Sequence, residues 1–283
     1  MPNDAIDMFE YTSPLAIVFF GVPLPNRNNP YIVLVSNDAD ILLRVGLGEE
    51  DKASRAVIKG LQLGWRYEIA LKSFIDEVST RLEQPLYIEI EARVSKTSYP
   101  PASSIYAAAT LAIIQAVSET GGYELSADEI LQAASDIDQE AGIGLDFIDA
   151  LRTAMIRGKS IIYRKGEEPI VLDTKRELVL ELVGEEDIGE DLSQNIQDPL
   201  ASAITRLLGV NVIETANIIR ELQEPDNIFQ EVELNIRIEN AAYYMLYGAS
   251  LPDPGCKWTP SLQRVYAICK KDSKLGDPVT FTL

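Results

Sequence analysis

The 283-residue chain contains no histidine. That excludes Ser-His-Asp and Cys-His nucleophile pairs, imidazole metal ligands and an imidazole general base. Acid–base chemistry falls to Asp, Glu, Lys, Tyr or Cys. Basic residues are also scarce: Lys and Arg number 25 against 44 Asp and Glu, a formal net charge of −19. Nucleic acids and anionic membranes both demand a basic face. No run of Lys/Arg is long enough to make one, so neither is an expected partner. The two cysteines, Cys256 and Cys269, cannot build a disulfide framework and form no CxxC. They are close enough in sequence to pair, but two buried thiols are expected. No stretch approaches the roughly 18 apolar residues of a membrane span, and the opening residues lack the basic start and apolar run of a signal peptide. The expected setting is the cytoplasm. Acidic residues are plentiful, yet none has calcium-loop spacing, and no metal site is expected.

What remains is enough apolar material for a sizeable core. Ala16–Phe20 is a short apolar run closed by Gly21, Pro23 and Pro25, and Tyr31–Val35 is a second. Ile41–Val45 follows the turn-like Asn37-Asp38. From Tyr67 to Leu82 the period becomes helical, with Leu71, Phe74, Ile75 and Val78 on one face. Ile88, Ile90, Ala92 and Val94 alternate with Tyr87, Glu89, Glu91 and Arg93, a strand with one wet face. After a polar, proline-bearing loop from Ser95 to Ser103, an Ala/Ile/Leu helix is expected over Ile105–Val117, ended by Gly121-Gly122. Ser126 with Glu129 reads as a capping box, and a third helix covers Asp146–Ile156. Strands follow at Ser160–Tyr163, Ile170–Leu172 and Leu178–Val183, then helices at Pro199–Leu208 and Val212–Leu222. Glu231–Ile238 alternates like a strand, but its continuation Asn240–Tyr244 suits a helix. A Gly/Pro-rich loop, Gly248–Pro260, leads to strands at Val265–Cys269 and Val279–Leu283. The class is α+β. The acidic stretch 184–191 reads as a connection between residues 1–183 and 192–283.

Three stretches together resemble the GHMP small-molecule kinases (galacto-, homoserine, mevalonate and phosphomevalonate kinases). Ser13–Pro23 is similar to the opening strand signature, Ala-Pro-Gly-Lys, apolar residues, then Gly-Glu-His. Pro14, the apolar run and Gly21 match, whereas Leu15, Ala16, Val22 and Pro23 replace the polar and glycine positions. Pro100–Thr110 overlays without a gap on the phosphate loop P-x-x-x-G-L-G-S-S-A-A, after a strand and opening a helix. There the family's glycines correspond to Ser104 and Tyr106, and its serines to Ala107 and Ala108. Gly142–Ala150, leading to Gly158-Lys159 and a strand, is similar to the helix start that carries the family's catalytic aspartate; Asp146 and Asp149 both fit. The late glycine-rich motif falls on Gly248–Trp258 without its glycines.

The resemblance implies a two-domain GHMP-kinase-like fold, with an N-terminal part like a small-subunit ribosomal protein and an α+β C-terminal part. It also implies a degraded nucleotide site. A side chain in place of a left-handed glycine costs roughly 1–2 kcal/mol, Tyr106 adds a ring where phosphate should lie, and two alanines leave no hydroxyl for magnesium. Ser103 or Ser104 can still cap the helix, whose N-terminus attracts anions, and Lys96 lies near in sequence. Lys96, Ser103, Ser104 and Tyr106 are therefore the candidate phosphate or ligand residues. The first reading is a GHMP-like protein that is no conventional ATP-dependent kinase, needs no cofactor, and binds a small molecule or a protein partner. The alternative is an active small-molecule kinase of sugar, amino-acid or mevalonate type, using Mg-ATP with Asp146 or Asp149 as base. Asp at a helix start also serves as a cap or dipole partner. A third reading is a subunit of an oligomer, with the Tyr243–Leu246 cluster at an interface.

Overall fold

The computed structural model describes residues 8–24, 27–49, 55–60, 64–83, 86–188, 198–262 and 264–283. These form ten strands and seven helices in the order β1 (Met8–Phe20), β2 (Tyr31–Glu49), β3 (Arg55–Lys59), α1 (Trp65–Arg81), β4 (Leu86–Val94), α2 (Ala102–Thr120), α3 (Ala127–Glu140), α4 (Asp146–Arg157), β5 (Ile161–Tyr163), β6 (Ile170–Val171), β7 (Glu177–Asp187), α5 (Asp198–Glu221), α6 (Ile228–Glu231), α7 (Glu233–Tyr247), β8 (Cys256–Ser261), β9 (Arg264–Lys270) and β10 (Asp277–Thr282). The α+β class is borne out.

The strands join one sheet, ordered β3-β4-β2-β10-β7-β9-β8, with β1 and β5 also on β2. Among the described residues only the β3–β4 pair is parallel. Aliphatic and aromatic residues of β1, β2 and β4 bury against α1, α2 and α4 in the main core. A smaller core joins Leu208 and Leu246 to Trp258 and Val265.

Several boundaries differ from the sequence reading, each for a physical reason. Asn37-Asp38 is no turn between strands. Pro14 pairs with Asp40 and Ala16 with Val35, so Ser36–Ala39 bulge out of a continuous β2. The Ser36 hydroxyl accepts from the N–H groups of Asp38 and Ala39 and supports that bulge. Gly184–Asp187 is the end of β7, paired to β9 from Ala267 to Arg264; residues 189–191 lie outside the described residues. Of Glu231–Ile238, Glu231 ends α6, Val232 caps α7 and the rest is helical, because Asn235, Ile236 and Glu239 bury at helical spacing. The two helices expected at 199–222 are one, α5. Within the supposed loop 248–260, Cys256–Ser261 forms β8. Cys256 stands opposite Cys269, and the two form a disulfide rather than two buried thiols.

Candidate functional site

The N-terminus of α2 is where the phosphate-loop resemblance places an anion. Pro101 is its N-cap, at φ −60° and ψ 131°, a conformation proline is built for. Ser103 and Ser104 thus lie inside the first turn and cap nothing. The Ser104 hydroxyl donates to Ala16 O at 2.6 Å, and the Ser103 N–H donates to the Ser261 hydroxyl at 3.3 Å. Both serines are buried.

The first N–H of the helix is met by a carboxylate. Ala102 N donates to Glu185 Oε1 at 2.8 Å, and the Ser261 hydroxyl donates to the same oxygen. Arg264 stands 3.5 Å from Glu185 Oε2 and also reaches Asp187, which Arg66 contacts at 2.9 Å. An exposed helix N-terminus draws a negative charge through its unpaired N–H groups and its dipole. Here β7 delivers that charge from within the chain. The preceding loop is fixed as well: the Tyr266 hydroxyl donates to Tyr99 O, and Ser98 N donates to Asp277 at 2.6 Å. Lys96, on this loop, is exposed at φ 67° and makes no hydrogen bond to Ser103 or Ser104 among the described residues.

Tyr106 does not point into this seat. Its fully buried ring packs edge-on against Phe74, with centroids 6.3 Å apart. Its hydroxyl donates to Asp138 at 2.6 Å, and burial pushes its pKa far up. Asp138 in turn pairs with Arg152 at 2.7 Å, both side chains being buried. Arg152 also donates to the Thr110 hydroxyl at 2.8 Å and reaches Asp149 at 3.3 Å. Lys165 closes the chain of charges, 3.0 Å from Asp146 and 3.6 Å from Asp149. Burial raises the Asp149 carboxyl against the pull of Arg152, a hydrogen bond from Ser135 and Lys165. For Lys165 burial is outweighed, and Asp146 and Asp149 hold its pKa up.

Three of the sequence candidates, Tyr106, Asp146 and Asp149, therefore share one network, while Ser103 and Ser104 belong to another. Through Arg152, Asp149 is tied to Thr110, eight residues into α2 and roughly 12 Å along its axis from Ala102. Nothing in the sequence joined Asp138, Arg152 or Glu185 to these positions. Arg152 left a signal, a charge amid the apolar face of α4 beside Leu151 and Met155.

A second buried pair stands where the opening signature ends. Lys257 Nζ lies 2.9 Å from Glu239 Oε2, donates to Phe19 O, and sits 4.1 Å from the centre of the Phe20 ring. Glu239 accepts from Gly21 N at 2.7 Å. Burial raises the Glu239 pKa and lowers that of Lys257. At Gly21, φ is +124° and a Cβ would come within 2.4 Å of the Tyr31 ring, so only glycine fits.

Two cavities of about 350 Å³ lie elsewhere. One is lined by Tyr11, Ser13, Gln115, Leu125, Ile130 and Met155; the other by Asn37, Lys159, Ser160, Leu172, Asp173 and Thr282.

No family model matches the sequence, and no curated protein matches it. Solved structures do. Mevalonate kinase from Methanococcus jannaschii aligns over 100% of both chains, at 14% identity and TM-score 0.62. Mevalonate diphosphate decarboxylase from Staphylococcus aureus aligns over 99% of this chain and 97% of its own, at 13% identity and TM-score 0.64. L. major mevalonate kinase, solved in complex with R-mevalonate, aligns over 97% and 90%, at 14% identity and TM-score 0.63. With this element order, sheet and end-to-end alignment, the chain has the GHMP-kinase fold.

Proposed function

We propose that this protein uses the GHMP fold without conventional ATP-dependent phosphotransfer, and binds a small molecule or a protein partner instead. The observation that carries the reading is the Glu185 carboxylate on the first N–H of α2. A phosphate oxygen brought within about 4 Å of that carboxylate is repelled by roughly 4 kcal/mol per pair of unit charges at an effective dielectric of 20. The seat therefore does not fit a triphosphate while Glu185 holds it. Ala107 and Ala108 supply no hydroxyl for magnesium, and the Asp149 carboxylate is engaged by Arg152, Ser135 and Lys165 while the first N–H of α2 is held by Glu185. In-line transfer requires the base and the phosphoryl group to be positioned together.

Calorimetric and thermal-shift titration of the chain with Mg-ATP is the test. The expected result is no magnesium-dependent binding at millimolar nucleotide; tight, magnesium-dependent binding overturns the reading. It would favour the alternative, an active small-molecule kinase with a rebuilt nucleotide site. For that alternative the supporting observation is the buried, raised Asp149 carboxyl beside Lys165, and loss of measured transfer in Asp146→Asn or Asp149→Asn would establish it.

No helix among the described residues is long and apolar enough to cross a membrane. The Cys256–Cys269 disulfide bears on the expected cytoplasmic setting, since such bonds persist mainly in oxidising compartments and in intracellular proteins of hyperthermophiles.

A further inference from the structure

α5 and α7 lie antiparallel, side by side. Asn211 and Asn235 each donate a side-chain N–H to the other's backbone carbonyl, at 3.2 and 3.3 Å. Leu208 packs with Ala242 and Leu246 further along. On the side away from this contact, α5 shows Leu200, Leu207, Val210 and Ile213, and α7 shows Leu234, Tyr244 and Met245. Each is between 47% and 70% exposed. The interface expectation for the Tyr243–Leu246 cluster thus divides: Tyr243 and Leu246 are core, whereas Tyr244 and Met245 face out.

This face is also unusual in charge. Charged residues make up 24% of the chain, yet the stretches 199–213 and 238–252 contain only Arg206 and Glu239. Glu239 is buried against Lys257. Acidic groups stand only at the margins of the face, Glu214 after Ile213 and Glu233 before Leu234, the latter paired with Arg237. On a body of net charge −19 the centre of this face is where a second such body can approach with least repulsion.

The outward positions of α5 are complementary to themselves about Val210. Leu207 and Ile213 lie three residues to either side, and Arg206 and Glu214 lie four to either side, all four exposed. When two identical helices cross antiparallel on a two-fold axis, residues equally far before and after the axis meet. An axis at Val210 sets Leu207 of one protomer on Ile213 of its partner, and Arg206 on Glu214. Neither Arg206 nor Glu214 has an ion pair within its own chain among the described residues. The seven outward apolar side chains supply roughly 100 Å² each, about 700 Å² in all. A standard specific interface buries about 800 Å² per partner.

We propose that this face is a two-fold interface between two copies of this chain, centred on Val210 with the two α5 helices antiparallel. Sedimentation equilibrium and light scattering of the full chain, from about 1 to 100 μM, are the measurements. The expected wild-type species has twice the 31.3 kDa chain mass. Arg206→Glu sets two acids against each other at both ends of the contact and raises the dimer dissociation constant at least tenfold. The double variant R206E/E214R, with the charges exchanged, restores it to within about threefold. Val210→Asp, on the axis, gives a monomer. Ile170→Asp, an exposed apolar residue on β6, leaves the mass unchanged, and far-UV dichroism and melting curves show each variant to be folded. A wild-type monomer at 100 μM overturns the proposal, as it would if a different macromolecule were the occupant. A dimer indifferent to Arg206→Glu and Val210→Asp, or one that the exchanged pair does not restore, overturns it equally.

Discussion

Replacing Glu185 by alanine removes one carboxylate and should convert a closed helix end into an anion seat. The Glu185 oxygen accepts from Ala102 N and from the Ser261 hydroxyl, with Arg264 nearby. A charged group at a partly buried helix N-terminus contributes about 1 kcal/mol, and a hydrogen bond to a charged acceptor about 1.5 kcal/mol. With the Arg264 pair losing its counter-charge, Glu185→Ala should cost about 2–3 kcal/mol. For a chain of this size that lowers the Tm by roughly 4–12 °C, at about 2–4 °C per kcal/mol. The Ala102 N–H then loses its acceptor, and inorganic phosphate should fill the place of the carboxylate. A site of about 1 mM affinity in 10 mM phosphate is stabilised by about 1.4 kcal/mol, a rise of roughly 3–6 °C. The assay is thermal unfolding of wild type, Glu185→Gln and Glu185→Ala at pH 7.5, in phosphate and in potassium chloride of equal ionic strength. Wild type should show no phosphate-specific shift; Glu185→Gln should lose about half as much stability as the alanine variant and gain little from phosphate. If Glu185→Ala melts with wild type, or phosphate raises both equally, the carboxylate does not hold the seat and the reasoning fails.

Three further outcomes follow from buried charge and covalent linkage. Burial pushes the Glu181 carboxyl up, but donors from Ser273, Lys274, Leu275 and Gly276 outweigh it and hold the pKa near 2. A depressed carboxyl stabilises the fold above its unfolded value of about 4.5 and loses that contribution as pH falls towards 2; Glu181→Gln should flatten this part of a Tm-versus-pH curve. Lys257→Met leaves Glu239 buried without a counter-charge and should cost about 3–5 kcal/mol in urea unfolding. The double variant K257M/E239L should recover much of that loss, and failure to recover any of it would mean the pair is not the unit that matters. Reducing Cys256–Cys269, 13 residues apart, should lower stability by about 2–3 kcal/mol, and C256S/C269S should match the reduced wild type.

Local rules carried much of the fold. The capping box at Ser126 and Glu129 formed as its spacing implied, and the alternation of Leu86–Val94 gave a strand with one buried face. These signals sit within a few residues, where side-chain spacing and backbone geometry are coupled directly. Long-range partners left no such trace. Glu185 lies in a Gly/Glu/Asp run that reads as a solvated connection; what makes it part of a site is a helix end 83 residues away. Tyr106 was legible as a misfit for a phosphate loop, but the direction of its ring depends on Asp138, 32 residues on. β8 was hidden because glycine and proline flank it, and its pairing to β9 is settled by tertiary contact. The spacing of Asp146 and Asp149 marks them as a pair, whereas Lys165, the ammonium that binds both, lies beyond β5 with no local pattern linking it to them.

The place of β10 has a consequence in time. It fills the gap between β2 and β7, so the Ser36 hydroxyl waits for a carbonyl on Thr280, 244 residues later in the chain. At about 5–20 residues per second of synthesis, that interval is roughly 12–50 s. Within it β4 emerges to pair with β2 beside β1, while the β2 contact at Val35 and Ser36 stands open, and β7, once made, has no neighbour on that side until β10 follows. The two halves of the sheet thus become one only when the last strand is laid between them, which makes the final step of assembly the one with the longest loop to close.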